Sequence, residues 1–257
     1  MLLTMAALCT AAFAAGFIDA VVGGGGLIQL PALLVLLPGV PVPTLLGTSK
    51  LSGIFGTASA AADYARRRVE IRWASALPAA GAAGLLSWIG AHAVSLLPRE
   101  SLRPLVLGLL VIVALFTVLR REFGASERPA RPRRTELLIA IGGGSVIGFY
   151  DGFFGPGTGS FLIIFFVGVL GYDFLMASAA AKVLNLGSNL TAMAYFAGTG
   201  QVLWKVGLPM AACNVLGAQL GTRMAVQRGT RFVRPLFLLM VSAAILRLAW
   251  DAWHARP

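Results

Sequence analysis

"GFYDGFFGPGTGSFLII", residues 148–164, breaks an apolar stretch with five glycines, one proline and one carboxylate, Asp151. Glycine weakens a helix, proline removes a hydrogen bond from its ladder, and a carboxylate resists leaving water. The surroundings make this costly combination informative. The chain has 257 residues, of which 58% are hydrophobic and only 12% charged. Its mean hydropathy is +0.82. A soluble domain carries about 25% charged residues. Several apolar runs reach the ~18–25 residues that cross a bilayer. Together these features specify an all-α polytopic membrane protein, in which residues 148–164 form a helix break at membrane depth.

The expected spans are 2–22, 27–37, 44–63, 74–96, 102–119, 137–154, 159–170, 175–197, 205–226 and 233–250. The second and seventh are short, and a helix of that length covers only about half of the hydrocarbon core. The opening run "MLLTMAALCTAAFAAG" has the small residues of a signal-peptide cleavage site. It lacks a positive n-region and stays apolar to Val22, so it reads as the first span.

The net charge of +11 does not point to nucleic acid. Arg66, Arg67, Arg68 and Arg72 share one loop, and Arg120, Arg121, Arg128, Arg131, Arg133 and Arg134 share another, with no interleaved aromatics to stack on bases. Arginine-rich short loops between spans are the positive-inside signature. Cys9 and Cys213 lie in apolar segments without metal-ligand spacing, and His92 and His254 are isolated. No metal site, cofactor or nucleotide-binding motif is expected.

The break occurs twice. Shifted by 132 residues, "GFIDAVVGGGG" falls on "GFYDGFFGPGT", so that Asp19 meets Asp151, Gly25 meets Gly157 and Lys50 meets Lys182. With a one-residue slip, Trp73 meets Trp204 and Pro78 meets Pro209. The chain therefore reads as two repeats, 1–120 and 136–257, joined by a polar cytoplasmic linker at 121–135. Loop 64–73 carries four arginines while its counterpart 198–205 carries only Lys205, and the bias reverses between 97–103 and 223–234. The positive-inside rule then sets the repeats upside down to each other, a 5+5 inverted arrangement if the short segments cross. If they re-enter instead, the repeats are parallel.

Backbone freed from a helix at membrane depth must line a cavity or be buried in protein. Secondary transporters use such breaks to aim amides and helix N-termini at a substrate. The candidate substrate-binding backbone and side chains at the breaks are Gly24, Gly25, Gly157, Thr158 and Gly159. Close packing of spans through glycine is the competing reading. Lys50 and Lys182 lie within spans, where a lysine costs at least ~2.5 kcal/mol. Lys182, Asn185 and Asn189 share one helical face, as do Lys50, Gly53 and Thr57. Such faces suit a small anion, and Lys50, Thr57, Lys182, Asn185 and Asn189 complete the candidate binding set. Structural pairing of the lysines with Asp19 and Asp151, or snorkelling to the interface, are the other readings. For Asp19 and Asp151 three roles stand open: anchoring the glycine loop, pairing with a lysine, or carrying a coupling proton.

The segments "GFIDAVVGGGGLIQLPALL", "GTSKLSGIFGTASAAADYARRRVEIRW", "GFYDGFFGPGTGSFLI" and "SAAAKVLNLGSNLTAMAYFAGTGQVLW" resemble the TauE/SafE sulfite exporter family over essentially the whole chain. The resemblance implies a multi-pass protein of the bacterial inner membrane that moves sulfite, sulfoacetate or another sulfur-containing or organic anion. One departure is that Pro156 and Thr158 stand where the first repeat has Gly24 and Gly26, so the halves need not contribute equally. The expected function is secondary transport of a small anion, with an anion channel as the alternative. A coupling proton or cation is a candidate partner. No Ser/His pair, paired catalytic aspartates or metal motif supports an intramembrane enzyme. Substrate identity, direction and oligomeric state are not legible in the sequence.

Overall fold

A computed structural model describes residues 2–98, most of 100–112, and 132–228. Eight helices are delimited: α1 (Leu2–Val22), α2 (Gly26–Leu36), α3 (Val42–Arg66), α4 (Trp73–Ser95), α5 (Arg133–Phe153), α6 (Thr158–Gly168), α7 (Phe174–Gly198) and α8 (Trp204–Arg228). Most of the expected span 102–119 and of the linker 121–135, and all of 233–250, lie outside the described residues. Among the described helices α1, α4 and α5 are long and apolar enough to cross a membrane, while α2 and α6 are short apolar helices. Helices α3, α7 and α8 have the length but are more polar, because their inner faces carry groups such as Lys50, Lys182 and Asn214.

Helix bounds follow the internal repeat. Shifting α2 and α3 by 132 gives the bounds of α6 and α7. The starts follow local chemistry. Pro41 precedes α3 and Pro132 precedes α5, where a missing amide costs nothing, and the Asp173 carboxylate caps α7 by accepting from the amides of Leu175 and Met176.

Packing joins the first half of the chain to the second. Helix α4 packs most extensively on α5, and α1 on α8. Small residues set the close approach. Gly148 lies on Ala83 and Gly152 on Ser87, so α4 and α5 run parallel. Gly217 lies on Phe13 and Gly221 on Phe17, so α1 and α8 run parallel. Gly207 against Leu51 and Gly56 against Asn214 align α3 with α8. Gly187 against Ala80, with the Thr191 hydroxyl donating to the Gly84 carbonyl at 2.7 Å, aligns α7 with α4. Helices α3 and α7 run in opposite directions. Gly47, near the start of α3, touches Phe196 and Gln201 at the end of α7, whereas Thr57 and Lys182 meet at the same Asp19 side chain.

Polar contacts tie the two ends of the bundle. At one, Glu136 is buried and receives the Arg72 guanidinium, with the hydroxyls of Ser75 and Tyr172 donating at 2.7 Å each. At the other, the Leu203 amide donates to Thr48 Oγ1 at 3.0 Å.

Candidate functional site

The site forms where the two breaks meet. Helix α1 ends one turn after Asp19, and the chain turns through Gly23, whose φ of +78° suits glycine. Helix α5 ends at Phe153 and turns through Gly155 and Gly157, with φ of +96° and +86°. The turns touch directly. The Ser160 amide donates to the Gly23 carbonyl at 3.0 Å, and its hydroxyl donates to the Val22 carbonyl at 3.0 Å. Gly159 sits so close to the Gly23 backbone that a Cβ on either would overlap the other. Around the second turn, Tyr150 donates to the Pro156 carbonyl at 2.6 Å and Thr158 to the Gly155 carbonyl at 2.7 Å.

A cavity of about 60 Å³ opens beside this crossing. A water needs ~10–15 Å³ by the same measure, so it holds about four water-sized atoms. Its wall includes Lys50, Thr57, Gly25, Gly157, Gly159, Asn185 and Asn189 from the expected binding set, and both acids, Asp19 and Asp151. Gly24, Thr158 and Lys182 are not on that wall. Thr158 spends its hydroxyl inside the turn. Among the described residues the amides of Gly25 and Gly157 have no protein acceptor, although each immediately precedes a short helix. Two repeat-related helix N-termini thus border one cavity.

Both lysines are paired with acids, each across the repeats. Lys50 Nζ lies 2.7 Å from Asp151 Oδ1, and Lys182 Nζ lies 2.7 Å from Asp19 Oδ2. Their settings differ. Lys182 is fully buried, stands off the cavity wall, and also donates to the Asp19 main-chain carbonyl. The Asp19 carboxylate accepts a second, long contact from Thr57 Oγ1 at 3.5 Å. Lys50 and Asp151 both face the cavity. Asp151 is 1% exposed, and no donor among the described residues reaches its Oδ2.

Three polar side chains of the wall lie beyond the expected set, Gln29, Ser49 and Asn214. The Gln29 amide donates to the Ser49 carbonyl (2.9 Å) and hydroxyl (3.1 Å), and accepts from Ser52 (3.1 Å) and Asn214 (3.0 Å). This amide fastens α2 to α3 and α8 beside Lys50. Asn189 Nδ2 donates to the Asn185 carbonyl and side-chain oxygen, at 2.8 and 2.7 Å, joining the two amides into one patch.

Curated relatives cover nearly the whole chain. A probable membrane transporter protein of Sinorhizobium sp is 41% identical over 97% of this chain and 94% of its own. One from Haemophilus influenzae is 35% identical over 96% of this chain and 95% of its own. The probable membrane transporter protein YfcA of Escherichia coli K12 is 34% identical over 94% of this chain and 88% of its own. No solved structure matches the chain significantly. The sulfite exporter TauE/SafE family matches residues 8–248, nearly the full length, and the chain belongs to that family.

Proposed function

We propose that this protein is a secondary transporter that moves a small anion, sulfur-containing or organic, across the bacterial inner membrane by alternating access. One observation carries the reading: Lys50, Gly25 and Gly157 line a single small cavity at the crossing of two helix breaks, and the amides of both glycines have no acceptor among the described residues. The cavity volume fits an oxyanion of about four or five heavy atoms. Thr57, Asn185 and Asn189 supply polar wall beside these groups. Lys182 serves as counter-ion to Asp19 and supports the wall from behind. Family membership supports the anion class, and the relatives' names support transport.

The molecule works as two inverted repeats, 1–120 and 136–257, joined at 121–135. Opposite running of α3 and α7, whose bounds are related by the repeat, supports inversion. So does the parallel alignment of α1 with α3 through α8, which requires the chain to return across the membrane between them. Inverted repeats around a midplane site are the usual basis of alternating access.

The test is flux in proteoliposomes across sulfite, sulfate, thiosulfate, sulfoacetate and simple carboxylates. Saturable uptake of one of them with counterflow is expected. Saturation by none contradicts the anion reading, and flux without counterflow indicates a channel.

A further inference from the structure

The two repeat-related ion pairs have diverged. In the Lys182–Asp19 pair the ammonium holds both the main-chain and side-chain oxygens of Asp19 from behind the wall. In the Lys50–Asp151 pair both residues line the cavity, and one buried carboxylate oxygen of Asp151 has no donor among the described residues. A buried carboxylate oxygen without a partner is rare and calls for a ligand.

Resting on the anion reading above, we propose that Asp151 takes up a proton at Oδ2 when the anion binds Lys50, so that anion and proton occupy the cavity together. Charge balance drives this. Lys50, Asp151, Lys182 and Asp19 sum to zero, and a monovalent anion entering alone would leave a buried net charge of minus one. Protonation of Asp151 restores neutrality and releases Lys50. The Lys50 hydrogen bond passes from Asp151 Oδ1 to an anion oxygen, and the proton comes from water on the side of entry. On release the anion departs, Asp151 returns its proton to water, and the ion pair re-forms. No other bond changes, and one proton accompanies each anion in the same direction.

The groups facing Asp151 leave it as the exchange site. Lys50 of α3 is its partner, and Asp19 of α1 across the cavity is held by Lys182 of α7. Tyr150, on its own helix, is committed to the Pro156 carbonyl. Helix α6 carries no titratable side chain, and His92, the one on α4, is bonded to Tyr195. A metal cation would demand several oxygen ligands, and no cluster of three acidic, histidine or cysteine groups exists among the described residues.

The experiment is calorimetric titration of the full-length protein with sulfite, sulfate and methanesulfonate in two buffers of different ionisation enthalpy. The charges of sulfate and methanesulfonate stay fixed between about pH 6 and about pH 8, so proton uptake with either belongs to the protein. Uptake of about one proton per methanesulfonate is expected, with apparent affinity falling up to about tenfold per pH unit on the alkaline side. Asp151→Asn should bind the anion with no proton uptake and no pH dependence. Normal binding by the wild-type protein without proton uptake overturns this proposal alone, as does proton uptake retained in Asp151→Asn. Binding of no anion by the wild-type protein overturns the anion reading with it. Should Asp151→Asn fail to fold, the wild-type proton count still decides.

Discussion

Lys50 and Lys182 occupy the same register position in the two repeats, and sequence alone treats them as equals. Their surroundings make one a cavity group and the other a structural counter-ion. Removing Lys182 strands the Asp19 carboxylate, and breaking a buried pair on one side costs about 3–5 kcal/mol. Lys182→Met should therefore lower the melting temperature in detergent, and adding Asp19→Asn should recover most of the loss. No drop in the single variant would contradict the counter-ion role. The expensive residues were legible because a charge in an apolar stretch needs a reason. Which acid serves which lysine was not, since that depends on how the two halves come together. Gln29 and Asn214 escaped the repeat comparison because their counterparts, Phe161 and Ala83, are apolar. The signal available was an amide standing alone in an apolar run, a buried polar group that must find partners.

Runs of glycine and proline located both breaks, and helix bounds follow the sequence repeat because the same starts and stops recur in each copy. That the two turns cross each other was not legible, since no local pattern records which backbone a glycine will meet. The crossing leads to a graded prediction. Ser160→Ala removes the hydroxyl bond to the Val22 carbonyl and should cost about 1 kcal/mol. Gly159→Ala drives a methyl into the Gly23 backbone and should cost more, about 1–3 kcal/mol, with loss of transport from misplaced amides. Thermal unfolding in detergent and flux measured on the same preparations check both. Equal, small effects would mean that the turns have room to separate.

Across the whole molecule the account requires the ends of α3 and α7 to lie on opposite sides of the membrane. Cysteines introduced at Glu70 and Thr199, both exposed, report this in a background with Cys9 and Cys213 replaced by serine. An impermeant maleimide should reach position 70 only from the cytoplasm and position 199 only from outside. Labelling of both from one side contradicts inversion. Arginine bias is the sequence's argument for inversion, whereas the exchange of ion partners between the halves needed the packed helices. The central claim is that Lys50 in the shared cavity holds the transported anion. Its most direct test is sulfite uptake into proteoliposomes by the wild-type protein and by Lys50→Met combined with Asp151→Asn, which removes the pair without leaving a buried charge. The account predicts saturable uptake by the wild-type protein and its loss in the double variant at equal reconstituted amounts. Saturable uptake unchanged in the double variant would contradict it.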